Sequence, residues 1–582
     1  MSLALALAAL ALPGLGLELA LVPGSPGMLV RGVRAFLLSL AFWPLIIFAT
    51  RVLPVGLGGI AGGGLGLGVV LAGVAGRRRW PSLSFGAWLL AGYLILSLTV
   101  LAPLRTWIVA PGADMSMHTF MARLIVEAGG LPSSYEPIYP IKDFGAYAAG
   151  FPAIAAVLTR LSGFPVHRTS LALALLSYPA LAGGLFLVAR RFASEGAALL
   201  AGVAVTATCG ACDVLRWGGN PTVLSLALGF AALAPLARAS PAVRGDGGLL
   251  FPIFAAGAGL VQLIPAMALA YAAPLAALLW LCAVPGRERA RLLVWWLALL
   301  VAAVALFALP YLLATHPAIP AGARAAVMAW QRQTAHAYRG TWRNFPITIW
   351  KYLWIRFSRF NGLGVALLGL AGVTLARDRR QIPWAIFALA TLLVVLNSRY
   401  WILPGSAALY PERVAMLLYA PLTAMLAAFM DVVALRLESG RGRVAVAVLA
   451  ALTLGASVQH ARFTFRLAGR DVAVTANDLE VISFIGNHLP RDAVIANRYA
   501  DAGLWIPALA LRAIHSPHSN PFYFEALANW GRLVRPGYVF FGERWVEPVS
   551  SPFRREEVVA APDRFTEVCA SGGAALFKIR EN

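Results

Sequence analysis

The sequence predicts a mainly α fold, a polytopic transmembrane helical bundle with a small C-terminal α/β domain. Three observations lead there. Of 582 residues, 60% are hydrophobic and 13% charged, and mean hydropathy is +0.74, which leaves too little polar surface to coat a water-soluble globule. Apolar runs close to the roughly 20 residues that cross a bilayer follow one another to residue 460. Beyond that point the composition turns polar and short strand-like runs begin.

The apolar runs lie at 2–23, 33–53, 57–76, 84–104, 168–189, 195–211, 222–239, 249–264, 265–283, 291–314, 361–377, 381–398, 413–435 and 443–460, about 14 spans, give or take two. The first run has no basic n-region, contains Pro13-Gly14 and Glu18, and lacks a small-x-small cleavage site, so it reads as a retained span. The organisation that follows is 1–83 as N-terminal transmembrane helices, 84–460 as the transmembrane core, and 461–582 as an external soluble α/β domain. In that last part Asn477-Asp478-Leu479-Glu480 opens a helix, and Ala493–Ala496, Tyr538–Phe541 and Ala575–Lys578 read as strands.

The net charge of +22 does not indicate nucleic acid. Only three of the 48 basic residues are Lys, and most Arg sit in short clusters between apolar runs, where inside-positive anchoring accounts for them. The clusters at Arg77–Arg79, Arg190-Arg191, Arg287–Arg291, Arg377–Arg380 and Arg436–Arg443 share one side if 146–163 does not cross. That places the loops 105–167, 212–221, 315–360 and 399–412 and the tail together on the external side, with 146–163 dipping into or lying along it. Four cysteines over this length make no disulfide framework, and Cys209-x-x-Cys212 lacks the βαβ surroundings of a redox motif.

Candidate chemistry gathers in the predicted external loops. Asp114 and His118 share one face if their segment is helical, so the carboxylate can take a proton from a hydroxyl or hold a cation while the His orients. The alternative is that Asp114 caps the amphipathic run ending at Gly129-Gly130. Asp213, with Arg216 and Asn220, offers a second acid from the 212–221 loop; an Asp213–Arg216 ion pair is the bland alternative. Asp143 and Glu412 are the other acids best placed to face a cavity. Between His316 and Phe360 seven basic residues, Arg332 and Arg343 among them, interleave with Trp and Tyr and no acid, a pattern that suits a lipid phosphate or an interfacial helix. Tyr410-Pro411-Glu412-Arg413 enters a hydrophobic run, where Arg413 needs Glu412 or a phosphate as partner.

Asp114, then His118, Ala122, Arg123 and Ile125, Gly129-Gly130-Leu131-Pro132 and Tyr147-Ala-Ala-Gly150-Phe-Pro152 together resemble the GT-C superfamily, polytopic glycosyltransferases that use polyprenyl-phosphate-linked sugars. Gly503-Leu-Trp505-Ile-Pro507-Ala-Leu509 with Arg512 is similar to the soluble tail of several bacterial members. The resemblance implies an inverting transfer from a polyprenyl-phosphate-linked sugar donor to an envelope glycan, lipid or protein acceptor, on the external or periplasmic side of a multi-pass cell (inner) membrane protein. On that analogy Asp114 is the base, and Arg413 and the 324–359 basic residues stabilise the departing phosphate. Many members have two adjacent acids here, whereas Met115 follows Asp114, so a divalent cation (Mg or Mn) would need Asp213 beside Asp114. A lipid-linked-glycan flippase or a non-catalytic envelope-assembly subunit is the competing reading; a transporter would spread its ionisable groups along a pathway rather than on one face.

Overall fold

The computed structural model describes residues 2–22, 27–51, 55–76, 85–140, 144, 148–208, 211–237, 248–263, 265–266, 268–270, 272–274, 286–315, 369, 371, 382–400, 416–436, 440–516, 534–546 and 553–580. The helices are α1 (Leu3–Leu21), α2 (Met28–Ala49), α3 (Leu57–Gly76), α4 (Phe85–Thr99), α5 (Ala113–Ala128), α6 (Gly150–Ser162), α7 (Val166–Ala189), α8 (Glu195–Thr208), α9 (Ala211–Trp217), α10 (Asn220–Leu233) and α11 (Phe251–Val261). They continue as α12 (Gly286–Thr315), α13 (Ile382–Tyr400), α14 (Met416–Arg436), α15 (Gly440–Arg470), α16 (Ala476–His488), α17 (Ile506–Ala510) and α18 (Arg555–Val559).

The bundle is built around α7. Past its polar first turn it is apolar on every face, so it is stable only when surrounded, and its apolar window is wholly buried among α2, α6, α8 and α10. Small residues let the neighbours approach: a Cβ on Gly184 would lie 2.3 Å from the Ala227 carbonyl oxygen of α10. Four described helices, α1, α2, α3 and α7, are long and apolar enough to cross a membrane. The 13 residues of α6 rise only about 20 Å against a hydrocarbon core of roughly 30 Å. This helix packs among α5, α7 and α2 with Gly150 to Leu158 buried.

The last bundle helix runs past residue 460 to Arg470, so it enters the stretch assigned by sequence to the tail. The tail proper opens with α16, whose N-cap Thr475 and Asp478 form a reciprocal capping box. Its mixed sheet has the order β2-β1-β3-β5-β4. The strand β1 (Val494–Ala496) pairs in parallel with β2 (Ala513–Ile514) and β3 (Tyr538–Phe541), while β5 (Ala574–Ile579) runs antiparallel to both β3 and β4 (Phe565–Ser571). Alternation sorts the side chains: Val539, Phe541 and Phe577 build one face with Val558, whereas Phe540 and Leu576 join Val481, Ile482 and Ile485 of α16 in the main core. The strands expected at 493–496, 538–541 and 575–578 are present; β2 and β4 were missed, β2 because two residues carry no periodicity.

Candidate functional site

The site is framed by a crossing of two glycines. Gly112, the residue before α5, has φ +87°, and Gly218, in the turn from α9 to α10, has φ +89°. A Cβ on Gly112 would lie 2.1 Å from the Trp217 carbonyl carbon and 2.2 Å from the Gly218 nitrogen, and one on Gly218 would lie 2.7 Å from the Met115 nitrogen. Two backbones that touch in this way leave room only for glycine. The first turn of α5 is therefore locked onto the α9–α10 turn, which brings the 105–167 and 212–221 loops together as the sequence suggested.

Asp114 is the second residue of α5, in its first turn, and half-buried. Gly112, not Asp114, occupies the N-cap, and no side chain caps the helix. The carboxylate thus sits at the partially positive end of α5, where negative charge is favoured. Its i+4 partner His118 lies on the same face, as the helical reading required, but is 1% exposed with its ring 5.8 Å from that of Phe151 in α6. The His is core-facing while the Asp lies at the border. Gly129, with φ +68°, stops α5 as expected.

The end of α15 returns to this junction. The Gly112 N–H donates to the Asp471 carbonyl oxygen at 3.4 Å, and Arg216 donates through Nε to Asp471 Oδ2 at 2.6 Å and through Nη2 to Oδ1 at 3.5 Å. Arg216 is thus paired with Asp471; the side chain of Asp213, the partner the sequence reading had offered, lies outside the described residues. Asp471 itself was overlooked; its signal was its place as the first acid after the last apolar run. Asn220 opens α10, is wholly buried, and its Oδ1 and Nδ2 have no hydrogen-bond partner among the described residues; the same holds for Thr222 Oγ1.

The Pro/Tyr-rich return after α5 is a packed aromatic cluster. Phe120 lies 6.1 Å from Tyr135 and 5.7 Å from Tyr139, and Tyr135 lies 4.8 Å from Phe144, ring centre to ring centre. Tyr139 Oη accepts from the Ile514 N–H at 3.2 Å, and α17 packs on α5, so the tail is seated on the helix that carries Asp114. In the tail, Asp501 is fully buried, accepting from Gly503 N–H at 2.7 Å and Gly542 N–H at 3.1 Å, and burial pushes its carboxyl up to about 7. Arg512, part of the tail resemblance, is structural: it donates to the carbonyls of Gly486, Leu489, Ala510 and Leu511 and closes the C-terminal end of α16.

Asp143, Arg332, Arg343, Tyr410, Glu412, Arg413 and Cys209 lie outside the described residues, as do the loops 315–360 and 399–412 apart from their ends; of Asp213 and Cys212 only the backbone, in α9, is described. Among the described residues no three of His, Cys, Asp and Glu converge, and Asp471 is committed to Arg216. The side chain of Asp213, which would join Asp114 in holding a divalent cation, lies outside the described residues.

The apolar bundle with a small α/β tail docked on α5 fits a GT-C fold. Among solved structures the chain is similar to ArnT from Cupriavidus metallidurans bound to undecaprenyl phosphate, at 14% identity and TM-score 0.55, covering 85% of this chain and 98% of that one. The apo form of the same ArnT gives a TM-score of 0.52 at the same identity and coverage. The Archaeoglobus fulgidus oligosaccharyltransferase is more distant, with 12% identity and TM-score 0.47 over 78% of this chain and 69% of that one. No protein-family profile and no curated protein matches the sequence.

Proposed function

We propose that this chain is an integral-membrane glycosyltransferase that moves a sugar from a polyprenyl-phosphate-linked donor to an envelope glycan, lipid or protein acceptor on the external face. The observation that carries the reading is Asp114, held at the N-terminal turn of α5 by the Gly112–Gly218 crossing, on a fold shared with ArnT. ArnT has been crystallised with undecaprenyl phosphate, which supports a donor of that class here.

In the proposed reaction the acceptor hydroxyl gives its proton to the Asp114 carboxylate as its oxygen attacks the anomeric carbon. The bond from that carbon to the lipid phosphate breaks, the phosphate leaves with the electron pair, and configuration inverts. Arg413, Arg332 and Arg343 are assigned to the departing phosphate, and Asn220 to a polar group of the donor. Substitution Asp114→Asn tests the assignment. Transfer by the folded, membrane-inserted protein should fall by about 10²–10⁴, the usual contribution of a general base. Transfer at the wild-type rate would remove Asp114 from the mechanism.

A further inference from the structure

The tail sets a guanidinium beside an exposed indole at one edge of its sheet. In the order β2-β1-β3 the chain leaves β1 for β2 on one side and reaches β3 on the other, so β1 and β3 flank a topological switch. Open α/β sheets take ligands outside the carboxyl ends of their parallel strands at such a switch. Arg498 follows β1 there, and Trp545 follows β3. The two connections are fixed to each other: the Val546 N–H donates to the Ala500 carbonyl at 3.1 Å, and Trp545 Nε1 donates to the Tyr499 carbonyl at 2.9 Å. Ala500 has a left-handed backbone, φ +61°, which a residue with a Cβ adopts at a cost, and such strain gathers at ligand sites.

Arg498 Cζ lies 4.4 Å from the centre of the Phe541 ring and 4.9 Å from that of Trp545, so two aromatic groups hold the guanidinium in place. Neither ring supplies an oxygen to its N–H groups. Its Nε is buried without a hydrogen-bond partner, and among the described residues no carboxylate pairs with Arg498. The acids that act on it, Asp501 and Glu556, do so from a distance: Asp501 is turned to the Gly503 and Gly542 N–H groups, and Glu556 is exposed in α18 beside Arg555, a second cation. A half-buried charge held without an acceptor is costly until an anion meets it. Trp545 is 39% exposed, which leaves indole surface in water next to that cation. A sugar ring offers C–H groups to an indole, and an acid group on the sugar suits the guanidinium fork.

We propose that Arg498 and Trp545 bind an anionic saccharide, its carboxylate or phosphate on the guanidinium and its ring on the indole. The proposal rests on the transferase reading and narrows its acceptor: from Arg498 the chain runs into the turn Ala502–Trp505, which packs on α5, the helix that carries Asp114. Its test measures binding with no donor and no turnover, so its failure is distinct from a failure of the Asp114 assignment. Full-length protein in detergent is titrated calorimetrically with trigalacturonate, with glucose 6-phosphate and with the neutral trisaccharide maltotriose. At least one anionic sugar should bind and maltotriose should not, a comparison that needs no variant to fold; which anion binds tells carboxylate from phosphate. Arg498→Gln should weaken binding about tenfold, the loss of charge-assisted hydrogen bonds, and Trp545→Leu should weaken it as well. Arg580→Gln removes a charge at the opposite edge of the sheet, because β5 runs antiparallel to β3, and should bind like the wild type. The proposal is overturned if neither anionic sugar binds, if maltotriose or inorganic phosphate binds as tightly as they do, if Arg498→Gln and Arg580→Gln behave alike, or if Trp545→Leu changes nothing.

Discussion

Arg216 and Asp471, 255 residues apart in sequence, form an ion pair at 2.6 Å that ties the turn before α10 to the end of the last bundle helix. Because Asp471 also accepts from Gly112, the pair bears on how α5 presents Asp114. Arg216 is 45% exposed, so loss of the pair should lower stability by no more than about 1 kcal/mol. The larger effect should be on transfer: Asp471→Ala is expected to reduce kcat while the melting temperature barely moves. The exchange variant Arg216→Asp with Asp471→Arg should recover part of the rate. Equal kcat in Asp471→Ala and wild type would separate this pair from the site.

The two glycine positions differ in a way that substitution can read. At Gly112 a methyl group meets backbone at 2.1 Å, so Gly112→Ala must push α5 off the α9–α10 turn, and both folding yield and transfer should drop. Gly129 also has a left-handed backbone, with φ +68°, but open space around it. Gly129→Ala should cost only the conformational strain, about 1–2 kcal/mol, and retain transfer. Thermal melts and transfer assays on the pair would distinguish a steric contact from strain alone.

Asp501 makes tail stability depend on pH in a defined direction. Burial raises its folded-state pKa from 3.8 to about 7, so between those values the unfolded chain releases a proton that the folded chain keeps. Below pH 3.8 both states are protonated and the group contributes nothing. From there stability falls as pH rises, levelling off above 7 after a loss of order a few kcal/mol. Asp478, raised by burial as well, acts in the same direction. Hydrogen exchange of β3 and α16 in the full-length protein, corrected for intrinsic rates, should show protection declining between pH 5 and 7. The Asp501→Asn variant should flatten that slope.

Arg512 should behave as a structural residue. Removing its guanidinium strips donors from the carbonyls of Gly486 and Leu489 at the end of α16, at a cost of about 1–3 kcal/mol. Arg512→Gln should therefore destabilise the tail and leave donor KM unchanged. A rise in KM with an intact tail would place Arg512 against the ligand.

Much of this was legible locally. Apolar runs of bilayer length, an amphipathic helix stopped by Gly129, and strands at 494–496 and 538–541 depend on neighbours within a turn or a few residues, and periodicity reports such neighbours directly. The same local logic put Asp114 and His118 on one face of α5, but it could not say that His118 points into the bundle, because burial of that face depends on where α6 packs. Nor could spacing find Asp471 as a partner of Arg216, 255 residues away.

The sequence by itself determined a membrane helical bundle with an α/β tail, and an acid at the head of a loop helix. Only the tertiary structure decided that Gly112 crosses Gly218, that Asp471 closes the junction, and that the tail sits on α5 through Tyr139. The physical reason is range. Hydrophobicity and helical period act between residues close in the chain, whereas a backbone crossing or an ion pair between residues 216 and 471 exists only once the intervening helices have packed.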